Sequence, residues 1–325
     1  MNTKCIHRMQ VLNAGWAVLV VASVACGTGS TTSGGALDGS SGSSGSSGGA
    51  GDGGRGDGGA CAELHVGGMN DDGIGGSRQS QVAAQAVADI ASASAAQITA
   101  LTASCKALAV ALGASTDDQT SADGPALARD KARGWCGVAI KAIGTTKAMA
   151  GGTLAFSLVP PVCKFSVDTK GACQARCSAS GTCDVAANPF TCIGGNLSGG
   201  FCANGKLGGG CSVDAKCDAD CDVSVAAAAQ CTSGPASAAV NGAADAAAAA
   251  KLKTAIETNL PDLVGLQAHF EAESRNNGAL TAIAESVSDL KVACIPPVVT
   301  AAVNAADDVT TGASASADVV AALKQ

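Results

Sequence analysis

The sequence has no tyrosine, only five phenylalanines and two tryptophans, and 14% charged residues. With aromatics at 2%, any core must be built largely from alanine and other small side chains. Such side chains let helices approach closely but bury little area each, at about 25 cal/mol per Å². Histidine is scarce too: beyond His7 in the leader there are only His65 and His269. That count argues against histidine triads and multi-histidine metal sites. No two cysteines are separated by two residues, so neither a zinc knuckle nor a thioredoxin-type pair is written. There is no Gly-x-Ser-x-Gly, phosphate loop or dinucleotide fingerprint. A formal net charge of −7 disfavours a nucleic-acid partner. The expectation is a chain with no catalytic, cofactor or metal site.

What the chain does have is cysteine, sixteen in all, ten of them between Cys163 and Cys231. That number points to disulfides and an oxidising compartment. The ten are spaced by 10, 4, 6, 9, 10, 9, 6, 4 and 10 residues, a list that reads the same both ways about Leu197 in a Gly-rich run. Facing residues of an antiparallel hairpin have numbers of constant sum, here 394. The predicted pairs are Cys163 with Cys231, Cys173 with Cys221, Cys177 with Cys217, Cys183 with Cys211, and Cys192 with Cys202. The outer eight are odd-numbered and would share one face of regular strands. Asp168-Thr169-Lys170-Gly171, read as a turn, and Asn188-Pro189 would interrupt the ladder, and local pairing such as Cys173 with Cys183 is the alternative. Cys61, Cys105, Cys136 and Cys294 remain, and are expected to pair among themselves.

Residues 1–25 read as a signal peptide, with Lys4 and Arg8 before the apolar stretch Val11 to Val24. Ala22-Ser23-Val24-Ala25-Cys26-Gly27 follows the form of a bacterial lipobox, with Cys26 as the lipidated residue, although Ser23 replaces the usual aliphatic. Removal of Cys5 and lipidation of Cys26 leave fourteen cysteines, an even number; plain secretion would strand one. Residues 26–60 have the composition of a flexible tether, about 30 Å in root-mean-square span. Arg55-Gly56-Asp57 within it matches a cell-adhesion tripeptide by accident of a Gly/Asp tract. Asn70-Asp71-Asp72-Gly73 resembles the start of a calcium loop, but Gln81 stands where the closing glutamate belongs.

Arg78 to Leu112 is predicted to be one amphipathic helix ended by Gly113. A polar loop holding Asp117-Asp118 follows. A second helix begins near Pro125, with Leu127, Lys131, Trp135, Val138, Ala142 and Met149 on one stripe. Cys163, Phe165 and Val167 alternate as in a strand. Helices return from Ser233 to Asn259 and from Pro261 to Asn276. Leu280, Ile283, Val287, Leu290 and Cys294 form a further stripe, and Val299, Val303, Ala306, Val309, Ala313, Ser316 and Val320 mark a last helix. Val159-Pro160-Pro161-Val162 and Ile295-Pro296-Pro297-Val298 hint at two related halves. His269, Glu271 and Glu273 read as a solvated helix surface, since positions two apart share no face. Ser288-Asp289-Leu290-Lys291 matches Ser-x-x-Lys without its Lys-Thr-Gly companion, and reads as helix surface.

The expected fold is mainly α: an Ala-rich helical bundle formed by residues 61–162 and 232–325, with residues 163–231 inserted as a disulfide-rich, β or irregular subdomain. In Cys26 with Gly27, Cys173-x3-Cys177, Cys217-x3-Cys221 and its proline pairs, the chain resembles uncharacterised myxobacterial envelope lipoproteins, a resemblance that implies no activity. The functional expectation is a surface-tethered structural or interaction module of the cell envelope, outer-membrane anchored through its lipid, with an envelope protein or polysaccharide as partner. A membrane-inserting or pore-forming protein is the alternative, because Ile90 to Gly113 carries Lys106 as its one charge. A hydrolase with an unrecognised site is the third reading.

Overall fold

The computed structural model describes residues 73–178, 181–184 and 186–325. Cys26, Cys61, the signal peptide and the tether lie outside the described residues. Described is a mainly helical body with a disulfide-rich, strand-containing region.

The central element is α1 (Arg78–Ala111), against which four later helices pack. Its start is locally dictated. Ser77 caps it by accepting from the Ser80 amide, and Asp289 accepts from the Ser77 amide at 2.8 Å and from the Ser80 hydroxyl. Those bonds, the Ser80 one first, hold the Asp289 carboxyl below its usual pKa. Gly113, at φ +82°, ends the helix as expected.

Helix α2 (Thr116–Asp123) replaces the expected polar loop. Ser115 accepts from the Asp118 amide at 3.2 Å, a cap that turns the Asp117-Asp118 stretch into a first helical turn. Helix α3 (Ala128–Ala150) passes through Gly134, where α2 approaches so closely that a Cβ would sit 3.3 Å from the Ala122 Cα. Trp135 is fully buried, and its indole donates to Asp123 at 2.9 Å. Cys105 and Cys136 join α1 to α3 beside it. Met149, placed on the apolar stripe, is exposed.

Strand β1 (Thr153–Leu158) leads through Pro160-Pro161 into β2 (Val162–Ser166) and α4 (Val167–Cys177). Short strands β3 (Phe190–Ile193), β4 (Asn196–Ser198), β5 (Phe201–Ala203) and β6 (Lys206–Gly209) precede α5 (Ala215–Ala227), β7 (Gln230–Thr232) and β8 (Ala236–Asn241). One sheet runs β4-β5-β2-β7, and β1-β8 and β3-β6 are separate antiparallel pairs.

The segment predicted to be helical from Ser233 therefore begins as a strand. Leu154, Phe156 and Leu158 of β1 pack on the bundle core, and pairing to β1 along 236–241 overrides the helix propensity of alanine. Helix α6 (Ala246–Ser274) starts later, capped by Asp245, which accepts from the amides of Ala247 and Ala248. It continues through Pro261, contrary to the expected break. Leu260, Leu263 and Val264 are buried around that proline, and their packing outweighs one missing backbone bond.

Helix α7 (Asn277–Ser286) and α8 (Ile295–Lys324) complete the body. The stripe Leu280, Ile283, Val287, Leu290 and Cys294 is buried throughout, though the helix ends at Ser286; Val303 is exposed. One proline pair links two strands and the other opens α8, so the two similar motifs do not mark equivalent halves.

Six disulfides join described residues. Five are Cys163–Cys231, Cys173–Cys221, Cys177–Cys217, Cys183–Cys211 and Cys192–Cys202, the nested set that the mirror spacing predicts. Cys294 is also disulfide-bonded. This density points to an oxidising, extracytoplasmic environment.

The frame behind the nested set differs from the predicted hairpin. The register of constant sum 394 is kept by β2 with β7, which places Cys163 opposite Cys231, and continues outward into β1 with β8, but no other strand pair keeps it. Cys173 and Cys177 lie one turn apart on α4, and Cys217 and Cys221 one turn apart on the antiparallel α5. The supposed turn at 168–171 is the first part of α4, capped by Ser166, which accepts from the Thr169 amide at 3.1 Å. Lys170, fully buried, bridges Asp222 at 2.7 Å, Asp218 at 3.2 Å and the Leu207 carbonyl at 3.1 Å. Nor is the insert a detached subdomain: α5 rests on α1, and Val223 joins the core of α1, α7 and α8.

Two outcomes are expected. Non-reducing peptide mapping will link the Cys177 peptide to the Cys217 peptide and the Cys173 peptide to the Cys221 peptide. Gly312→Ala will lower stability by about 1–3 kcal/mol in denaturant unfolding, because the buried Phe270 ring occupies the space that a Cβ on α8 would need.

Candidate functional site

Two features stand apart from the packing: an open cleft and a buried polar cluster. The cleft, about 480 Å³, lies between α1, α4 and α5. Its walls are short side chains, among them Ala93, Ala96, Ala172 and Ala227, with Cys173 of the α4–α5 bridge. Alanine-rich helices are the reason: where three cylinders of small residues meet at a clamp, the grooves between them are not filled. Asp89 on α1 and Arg176 on α4 line it, as do Gln85, Thr169 and Ser224. Gln85 donates to Asp89 at 2.8 Å and orients that carboxylate.

The cluster is formed by Gln97 of α1 and by His269 and Glu273 of α6. Glu273 is fully buried and accepts from the Gln97 amide at 2.6 Å, while its second oxygen has no hydrogen-bond partner among the described residues. Burial pushes its pKa up to about 8, so the carboxyl is protonated at neutral pH. His269 lies one turn away with its Nε2 3.8 Å from Glu273 and 3.2 Å from the Ala226 carbonyl. Burial lowers the His269 pKa, the carbonyl opposing it. With the ring and the carboxyl both driven to their neutral forms, the short Glu273–His269 separation is no ion pair. The Nε2–H tautomer donates to Ala226 instead.

This corrects the reading of His269, Glu271 and Glu273 as a solvated surface. Glu271 is exposed and takes a bond from Gln267 at 2.9 Å, but His269 and Glu273 are four apart and turn inward together. Gln97, distant in sequence, completes the group, and no spacing signals it. Ser288 and Lys291 are exposed and differently engaged: the serine hydroxyl donates to the Glu285 carbonyl at 3.1 Å and the lysine to the Gly73 carbonyl at 2.9 Å. His65 lies outside the described residues. Asp220 on α5 is a second buried acid, pushed up to about 7 by burial, with one carboxyl oxygen unpartnered among the described residues. No group of three or more His, Cys, Asp or Glu among the described residues is arranged to hold a metal ion. No protein-family profile, curated protein or solved structure matches the chain.

The buried acid has a pH consequence with a definite sign. Glu273 has a folded pKa of about 8 against an ordinary 4.5, so the folded state holds the proton more tightly and loses stability as pH rises through that window. Glu273→Gln, which keeps the shape without the charge, is expected to match the parent near pH 4.5 and to exceed it by roughly 2–4 kcal/mol above pH 8. Thermal melts of both proteins across that range check it. A stability difference that does not grow with pH would contradict it.

Proposed function

We propose that the chain is a lipid-anchored structural or interaction module of the bacterial cell envelope, non-catalytic, held at the outer membrane by Cys26 through the Gly/Ser-rich tether. The observation that carries this reading is the joining of a lipobox-like leader to a body crossed by six disulfides. Disulfides suit a protein that must persist outside the cytosol without chaperones. The resemblance to myxobacterial envelope lipoproteins supports the same setting, with an envelope protein or polysaccharide as partner.

The pore-forming alternative relies on the apolar half of α1, but Ile98, Leu101 and Leu108 already face the interior of the bundle. Among the described residues no helix is long and apolar enough to cross a membrane. Insertion would require that core to open.

Metabolic labelling with a clickable fatty acid is expected to mark the wild-type protein and not Cys26→Ala, and fractionation is expected to move that variant out of the membrane pellet. An unlabelled wild type, or equal labelling of the variant, removes the anchor from this reading.

A further inference from the structure

The two bridges that join α4 to α5 lie close enough to exchange partners, a matter independent of how the chain is anchored. Cys173 and Cys177 of α4 and Cys217 and Cys221 of α5 form one cluster with Val82 of α1. Across the two bonds Cys173–Cys221 and Cys177–Cys217, the Cys177 sulfur lies 3.9 Å from the Cys221 sulfur. That is contact between sulfurs of different bridges. A bond between them needs a separation of about 2 Å, and rotation of a Cys177 side chain released from Cys217 closes the gap.

The four sulfurs differ in access. Cys173, Cys217 and Cys221 are buried, whereas Cys177, the last residue of α4, is partly exposed. A thiolate arriving from solvent therefore meets this pair of bridges at Cys177. The group it displaces there is Cys217, which stands in the first turn of α5, where amides without helical partners favour a thiolate. Exposure and leaving group agree on the direction of attack.

We propose that the clamp is a thiol–disulfide exchange site, in which a dithiol that opens Cys177–Cys217 leads to a Cys177–Cys221 bridge and a free thiol at Cys173. The dithiol attacks the Cys177 sulfur, breaking the bond to Cys217 and forming a mixed disulfide. Its second thiolate then closes on its own bound sulfur, and it leaves as a disulfide with Cys177 set free as a thiolate. That thiolate attacks the Cys221 sulfur, so the Cys177–Cys221 bond forms as Cys173–Cys221 breaks. One disulfide is reduced, the dithiol is oxidised, and its two protons end on Cys217 and Cys173. Helices α4 and α5 stay covalently joined at every step. The thiol emerges in the open cleft that Cys173 lines, where Arg176, one turn further along α4, lines the same space and favours its thiolate.

The test uses the full-length chain, acid quenching, maleimide labelling of free thiols and non-reducing peptide mapping. Trypsin cuts after Arg176, between Cys173 and Cys177, and an Asp-directed protease cuts before Asp218 and Asp220, between Cys217 and Cys221. Cys217→Ser frees Cys177 without any reductant, and is expected to give label on Cys173 together with a linked Cys177–Cys221 peptide. Label confined to Cys177, with Cys173–Cys221 intact, would overturn the proposal. Should that variant fold poorly, the wild-type protein titrated with dithiothreitol gives the same reading. As Cys177–Cys217 opens, label is expected on Cys217 and Cys173; label on Cys217 and Cys177 overturns the proposal. The double variant Cys177→Ser/Cys217→Ser lacks the attacking sulfur, and is expected to lose the Cys173 label at the dithiothreitol concentration that produces it in wild type. Equal Cys173 labelling of that variant would show direct reduction of Cys173–Cys221 and would equally sink the exchange.

Discussion

The clamp of α4 against α5 is the constraint on which the most distinctive parts of the structure depend. Two disulfides one helical turn apart fix two antiparallel helices in both register and rotation, since a single bridge would leave a hinge about itself. With rotation fixed, Lys170 is carried into the interface, where Asp218, Asp222 and the Leu207 carbonyl receive it. A buried ammonium without those partners would be costly by several kcal/mol. Gln174 on the same helix extends the network, donating to Asp218 and accepting from the Cys211 amide. The same rotation leaves Arg176 beside the cleft.

The clamp also answers a weakness of composition. Alanine contributes little burial per residue, so helices made of it gain less from packing than leucine-rich ones. In the bundle the deficit is met by a few large side chains at full burial, Trp135 and Phe270 above all, seated where small neighbours leave room. Gly312 beneath Phe270 is the extreme case. In the insert, where the strands are three to five residues long, covalent cross-links do the corresponding work. Glu273 and Asp220 are acids placed inside this structure at a cost that grows with pH, and the cleft is a place where small side chains leave space unfilled.

Much of the helical frame was legible locally. Gly113 and the apolar periodicity before it marked α1 almost to the residue, and the stripe from Leu280 to Cys294 is buried as its period requires. The sequence reads Ser233 as the start of a helix, whereas α6 begins at Ala246 behind its Asp245 cap. What separates them is β1, far off in the chain, which recruits residues 236–241 into a strand. The candidate cleft was not legible at all. Asp89, Arg176 and Ser224 belong to three helices, and each reads in isolation as an ordinary helix position.

By itself the sequence pointed to the nested set of cysteine pairs, with local pairing such as Cys173 with Cys183 left open, and the structure contains the nested set. A mirror-symmetric spacing has one nested solution whatever elements carry it, because constant residue sums describe any antiparallel pairing. It also pointed to a mostly helical fold and, through its cysteines, to an oxidising environment. Only the tertiary structure decided that the middle bridges join helices. A spacing of four places two cysteines on one side of a strand, where the period is two, and on one side of a helix, where it is 3.6. Both periods accept the pattern, and packing against α1 selected the helix. Tertiary structure likewise turned Glu273 and His269 inward, since four-residue spacing says that they share a face but not which way that face points.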